Sequence, residues 1–87
     1  MLVNVSLNST DDGAVQVRIG PPQSSNVSIQ TYSSTSAARQ VLIAIGIDPQ
    51  EVDTVLKLLS QVSQGKQLQF SSRFVEQKVL WENGFRL

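Results

Sequence analysis

The hydrophobic period changes once along this chain, and that change fixes most of what it can fold into. Up to Tyr32 apolar residues recur at every second position; beyond it they recur at helical spacing. Val3, Val5 and Leu7 fall on one face of a strand, with Asn4 and Ser6 on the other. Val15, Val17 and Ile19 repeat the pattern, with Gln16 and Arg18 outward. The alternation predicts strands at about 2–8 and 14–19. They are joined as a hairpin through Ser9-Thr10-Asp11-Asp12-Gly13, because Asp-Gly supplies the positive φ that such a turn needs. Gly20-Pro21-Pro22 stops the second strand, since proline cannot donate to a ladder and restricts the residue before it. Val27, Ile29 and Thr31 then mark a third strand.

Helical spacing follows. Ala37, Ala38, Val41, Leu42 and Ile45 form one amphipathic stripe, with Ser34 or Ser36 as its cap, Gly46 as its left-handed stop and Ile47 as the apolar residue that closes it. Asp48-Pro49-Gln50-Glu51 is the clearest local signal: an N-cap acceptor, proline at the first helical position and a glutamate placed to bond back. That second helix is predicted through Val52, Val55, Leu56, Leu59 and Val62 to Gly65, with Leu58 off the stripe and widening the apolar face. Lys66–Phe70 reads as a short strand, and Ser71-Ser72 as the cap of a final helix bearing Val75, Val79 and Leu80 and stopped by Asn83-Gly84. A hairpin over 74–87 is the competing reading, but it would leave only three residues for the return strand. A weak repeat at offset 38 matches Tyr32-Ser33-Ser34 with Phe70-Ser71-Ser72, Val41-Leu42 with Val79-Leu80, and Gly46-Ile47 with Gly84-Phe85. Convergence on the same local tasks explains so short a match better than duplication does.

At 87 residues there is room for one compact domain, residues 1–87. Hydrophobic residues make up 40%, enough for a core and too many for a disordered chain. The longest apolar run, Val41–Ile45, is far short of a membrane span, and no basic start leads into an apolar leader, so a cytoplasmic location is expected. Without that leader, the sequons at Asn4, Asn8 and Asn26 read as chance. Charged residues are only 16% and sum to zero, while Ser, Thr, Gln and Asn together number 30. A weakly charged, neutral surface gives little repulsion between copies.

The inventory for catalysis is thin. With no cysteine or histidine, there is no thiolate and no ordinary general base. Asp11 and Asp12 belong to a turn, Asp48 and Glu51 to a helix cap, and Asp53, Glu76 and Glu82 to polar helix faces. Gly20-Pro21-Pro22 has one glycine and lacks N–H donors, so it is no phosphate loop. No catalytic residue, metal ligand, cofactor or small-molecule substrate is implied. Residues 37–59 have the spacing of a helix-turn-helix, but residues 48–64 carry a net charge of −2, which argues against a DNA groove. Residues 65–87 carry +2. Trp81 lies beside the Val75/Val79/Leu80 stripe, either as a core edge or as an exposed anchor.

The expectation is an α+β domain: a small antiparallel sheet of three to four strands with two to three helices packed on one face, in the order β-β-β-α-α-β-α. Its expected role is a non-enzymatic interaction or regulatory module that binds a protein partner or itself, with Leu58 and Trp81 as candidate contact residues. A nucleic-acid-binding protein using the 37–64 helix pair is the alternative. No membrane partner is implied.

Overall fold

A computed structural model describes residues 1–23, 25–61, 67–69 and 73–87. Strands β1 (Leu2–Ser9) and β2 (Val15–Gly20) form the expected hairpin, in the register Val5–Ile19, Leu7–Val17 and Ser9–Val15. Its loop is a type I turn with a left-handed glycine. The Thr10 amide donates to the Ala14 carbonyl at 3.0 Å, the Gly13 amide to the Thr10 carbonyl at 3.1 Å, and Gly13 sits at φ +84°. β3 (Ser28–Tyr32) adds antiparallel to β2. Helices α1 (Thr35–Ala44) and α2 (Pro49–Leu59) follow, then β4 (Gln67–Gln69), β5 (Arg73–Phe74) and α3 (Gln77–Glu82). β4 and β5 both pair with the free edge of β1, giving the sheet order β3-β2-β1-β4 with β5 further along β1. The fold is α+β, in the expected order, with β4 inside the strand expected at 66–70 and β5 added in the stretch expected to open the final helix.

The inward face of the sheet carries Val3, Val5, Leu7, Val15, Val17 and Ile19, all buried. α1 packs over β2 and β3 with Ala38 and Leu42, and α2 over β1 and β4 with Val52, Leu56 and Leu59. Each buried Val, Leu or Ile side chain contributes about 1.5–3 kcal/mol of transfer free energy. Val75, Leu80 and Phe85 complete the same core. The chain following α3 docks under β3, where the Arg86 amide donates to the Ser28 hydroxyl (3.0 Å) and the Gln30 side-chain amide to the Gly84 carbonyl (2.7 Å). Among the described residues no helix is long and apolar enough to cross a membrane.

The helix ends explain the internal repeat. The Ile47 amide donates to the Leu42 carbonyl (3.1 Å) and the Gly46 amide to Ile43 (3.0 Å); the Phe85 amide donates to Leu80 (2.9 Å) and the Gly84 amide to Trp81 (3.1 Å). Gly46 and Gly84 stand at φ +106° and +93°. Both are Schellman closures, each burying the apolar residue that follows the glycine. The other half of the match does not extend to the helix starts. Ser34 caps α1 by accepting from the Ala37 amide at 3.2 Å, whereas α3 starts after Glu76, which makes no side-chain cap bond.

Three sequence expectations are corrected. α2 ends at Leu59, not at Gly65: the Ser60 hydroxyl turns back to the Lys57 carbonyl (2.7 Å) and the Gln61 amide to Leu58 (3.0 Å), tightening the last turn. Val62 and Gly65 lie outside the described residues. The final helix does not begin at 73, because Arg73 and Phe74 pair with Val3 and Leu2 and the Val75 amide donates to the Met1 carbonyl at 2.8 Å. Ser71 and Ser72, its expected cap, also lie outside the described residues. Glu51, expected to bond back within the cap of α2, pairs with Arg73, while Asp48 accepts from the Gln50 amide at 2.8 Å as expected.

Candidate functional site

Strand alternation sends every second side chain away from the helices, and no helix covers that outer face among the described residues. Register aligns Gln69, Ser6, Arg18 and Ile29 in one row across four strands, and Asn8, Gln16 and Thr31 in the next. Leu2 and Phe74 face one another at the end of β1, 56% and 74% exposed. A depression of about 210 Å³ opens on this face, lined by Asn4, Ser6, Arg18, Gly20, Pro21, Val27 and Gln69. Gly20 has no room for a side chain, because Val27 and the Asn26 backbone pack against it: a Cβ there would lie 2.7 Å from Val27 Cγ1 and 2.8 Å from the Asn26 carbonyl.

The hydrogen-bond alternation also decides which backbone groups face outward. From the Thr10–Ala14 bond, the bonded pairs of β1 and β2 fall at Asn8–Gln16, Ser6–Arg18 and Asn4–Gly20. Val15, Val17 and Ile19 therefore bond to Tyr32, Gln30 and Ser28. That leaves the N–H and C=O of Ile29 and Thr31 pointing off the edge of the sheet. No loop backbone bonds to β3 among the described residues. β3 contains no charge, no proline and no bulge, the devices that usually blunt an edge. The opposite edge is broken into pieces of three and two residues.

Charges elsewhere are mostly absorbed. Arg39 Nε lies 2.6 Å from Asp53 Oδ1, which ties α1 to α2 and raises the Arg39 pKa above its ordinary value. Arg73 pairs with Glu51 and joins the sheet edge to α2, so the negative middle helix and the positive tail meet within one chain. Lys78 Nζ is 4.0 Å from Glu82 on α3. In the hairpin loop the Thr10 hydroxyl donates to the Asp12 carboxylate, which holds Asp12 below the usual carboxylate range. Burial alone pushes the Tyr32 hydroxyl up. A hollow of about 300 Å³ between α1 and α2 is lined by the Arg39–Asp53 pair and Thr35, Ser36, Leu56, Lys57 and Ser60. No group of three metal-ligating side chains gathers among the described residues.

Leu58 and Trp81 are exposed at 47% and 45%, and stand on different helices. The start of α2 is tied to the Val3 end of β1 through Glu51 and Arg73, and Leu58 lies two turns (about 10 Å) further along. Trp81 sits on α3, and the Arg86 guanidinium lies 6.0 Å from its ring centroid. The edge of β3 and the Leu2–Phe74 pair were missed by sequence reasoning. The absence of charge over 28–32 signalled the first; the second depends on a pairing that no local pattern announces. No family model, no curated protein and no solved structure matches this chain.

Proposed function

We propose that this chain is a non-enzymatic interaction module that associates with a second copy of itself by antiparallel pairing of the two β3 edges. The observation that carries this reading is the outward-facing backbone of Ile29 and Thr31 on an uncharged strand, unpaired among the described residues. A two-fold axis at Gln30 sets Ile29 opposite Thr31 of the other copy and Thr31 opposite its Ile29. Each copy then supplies two donors and two acceptors, and all of them are met. Zero net charge removes the repulsion that would oppose the approach. Exposed Ile29 adds apolar contact beside the junction. A strand edge is a small interface, so a weak dimer is expected, with a Kd on the order of 100 µM.

Sedimentation equilibrium over a range of concentrations tests this. Thr31→Pro removes one outward N–H while leaving the bonds to β2 in place, because proline is tolerated where an edge N–H faces solvent. The expected result is a concentration-dependent dimer for the natural sequence and a folded monomer for Thr31→Pro. Leu58→Ser and Trp81→Ala should still dimerise. A natural chain that stays monomeric throughout, or a Thr31→Pro variant that dimerises equally well, would overturn the reading.

A further inference from the structure

We propose that the depression on the outer face of the sheet is a binding site for a small carboxylate, with the Arg18 guanidinium as its anchor. Arg18 is half-buried and, among the described residues, is the only charged one lining the depression. Among the described residues no carboxylate lies within ion-pair distance of it, whereas Arg39 and Arg73 are paired with carboxylates and Arg86 rests over the Trp81 ring. A guanidinium partly withdrawn from water without a counter-charge is electrostatically unfinished, and its planar fork matches a carboxylate bidentately.

The surrounding residues narrow the ligand. Ser6 and Gln69, which share a row with Arg18, add hydroxyl and amide donors on one side. Pro21 and Val27 add apolar lining, with Val27 packed against Gly20. A volume of about 210 Å³ equals roughly seven waters of bulk liquid, which suits a head group of a few carbons. A single cation with neutral donors fits a monoanion better than a phosphate, which gathers several cations or a helix N-terminus. The carboxylate could come from a free small acid or from a peptide C-terminus, since both present the same head to Arg18. The site opens on the sheet face beside β3, with Arg18 opposite Ile29, whereas the proposed dimer uses the outward backbone of the β3 edge; the Thr31→Pro monomer tests the site without the dimer.

Isobutyrate is the probe, titrated at constant ionic strength and followed by two-dimensional NMR on both the natural chain and the Thr31→Pro monomer. Expected are saturating shifts centred on Ser6, Arg18 and Gly20 with a Kd on the order of 1 mM, absent with the neutral isostere isobutyramide. Arg18→Gln should abolish them, and Arg18→Lys should weaken binding about tenfold through loss of the bidentate geometry. Arg18 projects from the outer face, so its variants should keep the natural unfolding midpoint. A peptide ending in valine with a free C-terminus, compared with its amidated form, identifies the source: tighter binding than isobutyrate that is lost on amidation assigns a chain terminus, and equal or weaker binding assigns a free acid. Shifts that do not saturate, that isobutyramide reproduces, or that survive in Arg18→Gln would overturn the proposal.

Discussion

The Thr10 hydroxyl does more for this hairpin than turn statistics require, because it donates to the Asp12 carboxylate within the loop. Asp12 therefore titrates lower in the folded chain than in the unfolded one. The stabilisation it gives is complete above the unfolded pKa and is lost as pH falls through the depressed folded value. Thr10→Ala should raise the Asp12 pKa toward the ordinary carboxylate range, as read by a carbon-detected NMR titration; an unchanged titration would mean the bond is not formed in solution. Gly20 obeys a different constraint. Its replacement by alanine sets a Cβ against the Val27 side chain and the Asn26 backbone and should destabilise the fold by about 1–3 kcal/mol, measured as a lowered denaturant midpoint. The Asp-Gly turn was legible in the sequence because its chemistry is local. The reason for Gly20 was not: the sequence shows a strand stop before two prolines, and only the approach of residues 26 and 27 shows that a side chain has no room.

Helix ends divide along the same line. Gly46-Ile47 and Gly84-Phe85 were readable because a Schellman closure needs only a glycine, an apolar follower and the preceding turn. The start of α3 was not readable, since Ser71-Ser72 offers better capping side chains than Glu76. What moves the start is the second edge of β1, which recruits Arg73 and Phe74 as strand before any helix can begin. The result is a short helix whose N-cap makes no side-chain bond. Glu76→Ser should therefore raise stability by about 0.5–1 kcal/mol, while Ser34→Ala at α1 should lower it by about 1 kcal/mol. Thermal unfolding of the two variants side by side checks both signs; a destabilised Glu76→Ser would show that the glutamate has another task there.

At the scale of the whole molecule, the sheet presents two surfaces of different kinds. Its inner face is closed by three helices and the chain after them, and its outer face and β3 edge are left open by the described residues. The inner face of β1 and β2 was legible from periodicity, but β3 turns Ser28 and Tyr32 inward and leaves Ile29 and Thr31, the apolar-period positions, on the outer face. The open edge was only half legible, because the lack of charge over Ser28–Tyr32 is visible in the sequence but the choice of β3 as the outermost strand is a matter of topology. Leu58 and Trp81, singled out for size and for position off the helical stripes, are exposed on separate helices. An uncharged junction carries its own prediction. Dimerisation through β3 should be unaffected by a tenfold rise in ionic strength, whereas contact between oppositely charged ends of two copies would weaken. Sedimentation at two salt concentrations distinguishes them.

β1 bonds to its hairpin partner on one side and to residues from the far end of the chain on the other; the clasp between Ser28 and Arg86 spans 58 positions. A chain emerging from the ribosome can close the hairpin early. It cannot complete the sheet until residues 67–86 have been made, so β1 waits through synthesis with one edge bare. No fragment lacking β4, β5 and the chain beyond them is a smaller version of this protein: it keeps the hairpin and two helices but loses Val75, Leu80 and Phe85 from the core. Assembly is therefore expected as a single late event rather than stepwise from the N-terminus, and the chain depends during that interval on whatever keeps nascent edges apart.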